Sequence, residues 1–226
     1  TWSGMATGVY WLSAVVTDLG GLSATSAPVR VAVVDPAEAF GGLGFDGVND
    51  YVTFGLASPL GLARFTIETW FKWRGNGTAA TTGGGGVRAI PLVAKGRGES
   101  DGNNRDMNYF LGIDPTTRLL VGDLEQGAVP APGSPGLNQP VYGITPITPN
   151  VWCHAAVTYN GTNWQLFLNG VIETNVYVGQ LPRSDSIQHA SLASAIDSTG
   201  ASAGYFGGVL DEVRIWNYAR SLAQVA

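Results

Sequence analysis

Two Asn-Gly pairs separate strand-like segments in the second half of the chain, and they constrain its fold more than any other feature. The segments VWCHAAVTY, WQLFL and VIETNVYV are rich in the β-branched and aromatic residues that favour strands. Asn-Gly supplies the positive φ angles of tight hairpin turns, and the pairs stand at 160–161 and 169–170. This stretch predicts consecutive antiparallel strands.

The rest of the chain has the same character. Its 32 glycines and 12 prolines divide it into short segments, and only NYARSLAQVA, at the end, could form one or two helical turns. RFTIETWFKW alternates strictly, with Phe65, Ile67 and Phe71 on one face. Short strands with frequent turn signals are typical of an all-β protein. With 45% hydrophobic residues in 226, the chain has ample material for a core.

Charge and composition exclude several functions. A net charge of −5, with 12 scattered Lys and Arg, argues against a nucleic-acid partner. No run of about 18 apolar residues is present, so we expect no membrane span. The single cysteine, Cys153, excludes an internal disulfide. The N-terminus lacks signal-peptide features and resembles a cut within a longer protein, while the composition is typical of bacterial secreted or surface proteins.

The chain is predicted to contain two domains, 1–36 and 37–226. Residues 8–34 form two alternating runs around a turn, followed by the linker DPAEAFGG. GVYWLSAVVTDLGGLSATSAPVRVAVV resembles the last two strands of a bacterial immunoglobulin-like repeat. Because a lone hairpin is marginally stable in water, its missing strands either lie upstream or come from another molecule. Self-association through this hairpin is therefore a second expectation.

A more specific resemblance covers residues 39–222. LGFDGVNDYVTF, FTIETWFKW, WCHAAVTYNGTNWQLFLNGVIE and YFGGVLDEVRIWNYARS occur in that order. They resemble the laminin-G-like, concanavalin-A-like jelly-roll family. The resemblance implies a two-sheet antiparallel sandwich whose first and last strands are adjacent. Cys153 and the Pro/Gly-rich insertion at 126–150 depart from the family pattern. These departures bear on the geometry of the loops and not on the fold.

A carboxylate, Asp211, is predicted on the apolar face of the last strand. Burying it unpaired would cost several kcal/mol, so it needs a partner. If the end strands are adjacent, it approaches the FDGVND turn, where backbone N–H groups could satisfy it. Alternatively Asp46, Asn49 and Asp211 share a structural Ca²⁺, an ion that takes 6–8 oxygen ligands and that the family resemblance implies. A surface ion pair is the third alternative.

Trp70 is the main candidate for ligand binding. It lies on the polar face of its strand between Glu68 and Lys72. Sugar rings stack on exposed aromatic rings flanked by hydrogen-bonding groups. The alternative is a structural tryptophan packed under a loop. The other aromatic residues predicted to join the platform are Tyr109, Trp164 and Trp216.

Catalytic patterns are not found. His154 is expected to be structural and Cys153 to be a buried, inert thiol. The sequence does not show the chain order of a Ser/His/Asp catalytic triad. It also has no HExxH motif and no ExDxxE motif of laminarinase-type enzymes. The nearest acidic pairs stand beside glycines, where we expect them to be solvated: Asp123 with Glu125, and Glu99 with Asp101.

The sequence therefore predicts a non-catalytic binding or adhesion module of a bacterial secreted or surface protein. The expected partner is a glycan or else a surface protein, with Ca²⁺ as a structural ion. Two alternatives stay open: a spacer or fibre-assembly domain without a small ligand, and an accessory module of a polysaccharide-degrading enzyme.

Overall fold

The structure is a computed structural model that describes Ala6 and residues 8–33, 41–127 and 137–225. The chain divides into two compact units, residues 1–41 and 42–226. The predicted domain boundary at 36/37 lies outside the described residues.

The first unit is an antiparallel hairpin, as the alternation in residues 8–34 predicts. Strands β1 (Gly8–Leu12) and β4 (Val29–Val33) pair, and β2 (Val15–Thr17) pairs with β3 (Ser23–Thr25). The Asp18 carboxylate closes the turn by accepting the backbone N–H groups of residues 20 and 22. The relation of the first unit to an immunoglobulin-like repeat stays a prediction.

The second unit contains two principal antiparallel sheets. Its elements are β5 (Leu43–Asp46), β6 (Val52–Thr53), a 3-10 turn (Ser58–Leu60), β7 (Phe65–Thr78), β8 (Ala80–Thr81), β9 (Arg88–Lys95), β10 (Tyr109–Ile113), β11 (Leu120–Leu124), β12 (Val141–Tyr142), β13 (Trp152–Tyr159), β14 (Asn163–Leu168), β15 (Val171–Tyr177), β16 (Ala190–Leu192), β17 (Ala195–Ile196), β18 (Ser202–Ala203), β19 (Tyr205–Trp216) and α1 (Leu222–Val225). One sheet has the strand order β15-β14-β13-β7-β19-β5, and the other has the order β12-β11-β10-β9-β16-β6, with β8 paired to β9. A short pair, β17-β18, and the helical turn α1 complete the unit.

The main core lies between these sheets and centres on aromatic side chains. The Phe65 ring of the first sheet lies 5.1 Å from that of Tyr109 in the second. It also lies 5.6 Å from Trp164 and 6.2 Å from Tyr159. The predicted all-β, two-sheet antiparallel sandwich is therefore confirmed. The first and last strands of the unit, β5 and β19, are paired as the family resemblance implies.

The glycine-rich segment 74–88, whose composition is typical of a flexible loop, is partly strand. β7 continues to Thr78 because its end pairs with the start of β19, opposite Tyr205. Gly77 permits this pairing, since a Cβ there would meet the Tyr205 carbonyl oxygen at 2.6 Å. Strand partners distant in sequence supply these hydrogen bonds, so local composition does not reveal them.

The outer face of the second sheet is not open to solvent. A smaller apolar cluster lies on it, which includes Val87, Phe110 and Val121. Val87 and Met107 belong to this buried cluster and come from loops between the strands. The structured part of the chain has no helix with the length and apolar character needed to cross a membrane.

We predict that Phe65→Ala will destabilise the second unit by about 3–5 kcal/mol, because it removes a buried ring from the core and leaves a cavity. Urea unfolding measures this loss. The matched control is Phe54→Ala, whose ring is 51% exposed, and it should change the free energy of unfolding far less. Equal losses for both variants would contradict the described core.

Candidate functional site

The candidate site lies on the outer face of the six-stranded sheet, where β7 and β13 run side by side. The alternation of β7 turns Phe65 and Phe71 into the core and leaves Trp70 on the outer face. The β7–β13 register places His154 directly opposite Trp70. Two rings on neighbouring strands therefore lie on one surface.

Trp70 is partly open to solvent. Its side chain is 44% exposed, and its ring centroid lies 5.4 Å from that of His154, with an angle of 47° between the planes. The two rings face a pocket of about 570 Å³. Its lining residues are Glu68, Trp70, Trp152, His154, Asn169, Gly170, Arg214, Arg220, Gln224 and Val225.

A tight hairpin turn forms one rim of the pocket. Asn169 and Gly170 have φ angles of 50° and 76°, the left-handed values expected for the second Asn-Gly pair. The Asn169 side-chain oxygen accepts the His154 backbone N–H at 2.8 Å. In return, the Asn169 backbone N–H donates to the His154 carbonyl at 2.7 Å. The turn is thereby fixed to the strand that carries His154.

A buried carboxylate, Glu68, forms the polar base of the site. Arg220 donates to Glu68 Oε2 at 2.5 Å, and the Trp216 indole N–H donates to Oε1 at 3.1 Å. The Arg214 guanidinium is 3.9 Å from Oε1. Arg220 also lies over the Trp216 ring, 5.1 Å from its centroid. The Glu68 charge is thus compensated within the site, as burial requires.

The segment after β19 forms the opposite wall. The Thr66 hydroxyl donates to the Tyr218 carbonyl at 2.9 Å and accepts the Arg220 backbone N–H at 2.8 Å. Farther along, Val225 is buried in an apolar cluster with Ala156 and Phe167. These contacts hold residues 218–225 across the outer face of the sheet.

The pKa of His154, a titratable side chain of the pocket, is shifted. Desolvation lowers the pKa of His154 below its usual value, and the nearby Arg220 and Arg214 lower it further, while Glu68 opposes them. The imidazole is therefore neutral at physiological pH. A neutral imidazole has one hydrogen-bond donor and one acceptor.

The structure brings together some of the residues predicted for ligand binding and separates others. Trp70 and Trp216 both lie on the outer face of the sheet. Tyr109 and Trp164 have no exposed surface and belong to the main core, so they do not join Trp70 in a platform. The Trp164 indole N–H is already bonded to the Gln139 carbonyl at 3.0 Å. A ligand role for Trp70 and Trp216 stays a prediction.

His154 is predicted to be structural, and the sequence does not single out Asn169, Arg214 or Arg220 for the site. The sequence does contain a signal for His154, because the alternation of β13 places it on the same outer face as Trp70. The sequence contains no such signal for the arginines. Arg214 reaches Glu68 through the register of β19 against β7, and Arg220 through the course of the chain after β19.

The turn predicted to bind calcium is closed by its own backbone. Asp46 Oδ1 accepts the N–H groups of Val48, at 2.7 Å, and Asn49, at 3.3 Å. These hydrogen bonds lower the pKa of Asp46, and the one from Val48 has the largest effect. The Asn76 side chain donates to the Asp46 carbonyl at 3.1 Å. The turn is therefore satisfied without Asp211.

Asp211 lies too far along β19 to share an ion with Asp46. Asp46 pairs with Gly207, whereas Asp211 pairs with Trp70. Four residues at about 3.3 Å each separate these positions by about 13 Å. Among the residues that the structure describes, no three His, Cys, Asp or Glu side chains are arranged to hold a metal. Asp46, Asn49 and Asp211 do not fit one calcium ion, and calcium binding by this chain stays a prediction.

A β-bulge explains the orientation of Asp211. The register between β7 and β19 shifts between Asp211 and Arg214, and Glu212 takes a left-handed φ of 49°. The Asp211 carboxylate is partly exposed and accepts the Glu212 backbone N–H at 2.8 Å. It therefore does not point into the core as strict alternation predicts.

Of the four acids in the pairs considered for catalysis, Asp101 is exposed as expected, whereas the other three are buried or largely enclosed. Asp123 lies in β11, and both it and Glu125 have no exposed surface. Glu99 is largely enclosed by donors from Arg105 and Ser198, and its pKa is lowered to about 2 despite desolvation. Segments distant in sequence, such as those of Thr82 and Ser198, enclose Asp123, Glu125 and Glu99.

Comparison with known proteins assigns the family. The Laminin_G_3 profile of the concanavalin A-like lectin/glucanases superfamily matches residues 46–226. The chain therefore belongs to this superfamily. Among curated proteins, none matches the chain significantly in sequence.

Solved structures share the fold at low identity. The carbohydrate-binding module CBM40 of Ruminococcus gnavus IT-sialidase, bound to alpha2,3 sialyllactose, is 16% identical with a TM-score of 0.56, covering 81% of this chain and 95% of that chain. A heptameric SAP-like pentraxin from Limulus polyphemus is 13% identical with a TM-score of 0.52, covering 80% and 78%. The K499G mutant of NanB sialidase from Streptococcus pneumoniae is 14% identical with a TM-score of 0.55, covering 82% and 27%.

We predict that His154 titrates below pH 6.5, its ordinary value. The native state then binds fewer protons than the unfolded state just below pH 6.5, so its stability falls as the pH drops through this window. His154→Gln should lose less stability than the wild type between pH 7 and pH 5 in urea unfolding. An NMR titration that puts the His154 pKa at or above 6.5 would contradict the described burial.

Proposed function

We propose that this chain is a non-catalytic glycan-binding module with Trp70 at the centre of its binding site. The observation that supports this proposal most is the half-exposed Trp70 ring beside a pocket with many hydrogen-bonding groups. The pocket volume of about 570 Å³ lies in the range of small-ligand sites.

The lining has the chemistry that a sugar requires. The C–H face of a sugar ring packs on the Trp70 indole, because both surfaces are apolar and flat. Hydroxyl groups need donors and acceptors at the edges of this platform. Asn169 and His154 offer them on one side, and Gln224 and Arg214 on the other.

The charges of the site favour a neutral glycan. Arg220 is paired with Glu68, and Arg214 contacts Glu212. Each cation thus has a carboxylate partner within the protein. A ligand without charge leaves these pairs intact, whereas an anionic ligand competes with the carboxylates for the arginines.

The comparisons support the proposal through the fold. The superfamily name includes lectins, and the similar module from Ruminococcus gnavus is a carbohydrate-binding one with sialyllactose bound. A bacterial secreted or cell-surface location belongs to the same proposal, since surface glycans are reached from outside the cell. In the similar sialidase the match covers 27% of the chain, which is the arrangement expected for an accessory module of a larger enzyme.

A spacer or assembly role is the second candidate, and the first unit supports it. Trp11, Val16 and Leu19 on the hairpin are largely exposed. Exposed apolar side chains on a two-stranded unit favour association with another β-structure. Sedimentation analysis of the chain at increasing concentration distinguishes this role, since a spacer of this kind self-associates and binds no glycan.

The decisive variant for the proposal is Trp70→Ala. Glycan-array screening followed by calorimetry on the captured sugar should show a loss of affinity of about tenfold or more, equivalent to about 1.4 kcal/mol. Trp11→Ala is the matched control, because this tryptophan is 64% exposed on the first unit. Unchanged affinity in Trp70→Ala, with folding preserved, would remove the proposed site.

The ionic-strength dependence tests the class of glycan. We expect the affinity for the captured sugar to change less than about twofold between 50 and 500 mM NaCl, since a neutral ligand makes no ion pair. Binding of an acidic glycan that weakens steeply with salt, and is lost in Arg214→Gln, would contradict the neutral assignment.

A further inference from the structure

Three carboxyl groups are buried together on the outer face of the second sheet. Asp123 and Glu125 lie two residues apart, on the same side as Val121 of the outer apolar cluster. Asp106 comes from the loop before β10. All three side chains have 0% exposure. We call these residues the carboxyl cluster.

The carboxyl cluster has fewer hydrogen-bond partners than its oxygens require. Asp123 Oδ2 accepts from the Thr82 hydroxyl at 2.5 Å and from Asn138 at 3.1 Å. Asp123 Oδ1, Asp106 Oδ2 and both oxygens of Glu125 are buried and accept no hydrogen bond from an N–H or hydroxyl group of the described residues. The side chain that interacts with Asp106, Asp101, is itself an acid. Buried carboxylates in this condition are strongly unfavourable in their charged form.

The surrounding charges do not balance three carboxylates. Asp101 faces Asp106 and Glu125 and adds a fourth acid, while Arg183 is the cation that acts on both. Two nitrogens of Arg183, Nε and Nη2, are themselves buried without partners. The neighbouring groups on other elements do not help: Lys95 donates to the carbonyls of Leu56 and Gln188, Asp185 is another acid, and Tyr142 is uncharged at neutral pH.

Either a cation or protons must supply the balance. A metal ion needs several oxygens that converge on one point at short distance. No three of the acids in the described part of the chain are arranged in this way. Protons have no such requirement, because each one binds to a single oxygen.

We propose that the carboxyl cluster holds protons at neutral pH and releases them as the pH rises, which loosens the loops that cover the outer face of the second sheet. The site thus binds protons, and the loops are the element that responds.

The direction of the pKa shifts agrees with this geometry. Desolvation, above all, raises the pKa of Glu125 to about 8, of Asp123 to about 7 and of Asp106 to about 6. The native state therefore binds more protons than the unfolded state. The stabilising contribution is complete at acidic pH, falls as the pH rises above about 4, and is lost above about 8.

The covering loops are attached directly to the carboxyl cluster. Asn138 bridges Asp123 and the Thr82 carbonyl, to which it donates at 2.9 Å. The Arg183 backbone N–H donates to the Glu125 carbonyl at 2.8 Å. Gly86 packs so closely that a Cβ there would meet Asp123 Oδ2 at 2.6 Å. Charging these acids therefore disturbs the loops before the sheet itself.

The experiment compares the pH dependence of unfolding in the wild type and in Glu125→Gln, whose amide imitates the protonated acid. From pH 6 to pH 9 the unfolding equilibrium constant of the wild type should rise by about tenfold or more, and the rise in Glu125→Gln should be clearly smaller. Glu99→Gln is the matched control: its acid has a pKa lowered to about 2, so it should keep the wild-type slope. Asp123→Asn should also flatten the slope.

Hydrogen exchange locates the response. Peptides covering residues 79–87 and 101–107 should lose protection at pH 9 in the wild type and keep more of it in Glu125→Gln, after correction for intrinsic exchange rates. Equal slopes in the wild type, Glu125→Gln and Asp123→Asn would overturn the proposal. A melting temperature raised by CaCl₂, lowered by EDTA and insensitive to both in Glu125→Gln would overturn it in favour of a bound cation.

Discussion

The alternation of side chains along β7 is the constraint on which both the core and the candidate site depend. This strand lies between β13 and β19 in the six-stranded sheet. Phe65, Ile67 and Phe71 point into the core, while Glu68 and Trp70 point to the outer face. A shift of one residue would exchange the two sets, so the packing that fixes the core also fixes the pocket.

The buried carboxylates of the two sheets avoid the free-energy cost of a buried charge in different ways. Glu68 is compensated by Arg220, and this pair also holds the segment after β19 against the sheet. Glu125 has no such partner, although it is just as deeply buried. Burial of a charge is tolerated when a cation or a proton removes it. The first solution makes a rigid wall for the site, and the second makes the opposite sheet sensitive to pH.

The sequence predicts the sandwich well because its strongest signals are local. Strict alternation in β7 and β13 and the Asn169-Gly170 turn place Trp70 and His154 on one face. The same rule, applied to WQLFL and NYFLGID, puts Trp164 with two leucines and Tyr109 with Leu111 and Ile113. That parity already indicates the core, where the structure places both rings. For Tyr109 and Trp164, strand alternation is therefore a better guide to location than aromatic character.

Other features depend on contacts between distant segments, which a single sequence does not show. The bulge at Glu212 arises from the register of β19 against β7, and it turns Asp211 away from the core. Two separate loops, one with Thr82 and one with Asn138, reach Asp123 across 41 and 15 residues of sequence.

The glycines beside Asp123 and Glu125 predict that these acids are exposed to solvent, yet in the structure the glycines contribute to their burial. Gly122 faces the core, where a Cβ would meet the Trp164 ring at 3.1 Å, and this allows β11 to pack closely on the first sheet. Gly86 allows the covering loop to approach Asp123 from the other side. Because a residue without a side chain lets two segments approach each other, glycines here bury the neighbouring carboxylate. An acid flanked by glycines in a strand-rich chain is therefore a candidate for a perturbed pKa as much as for a solvated loop.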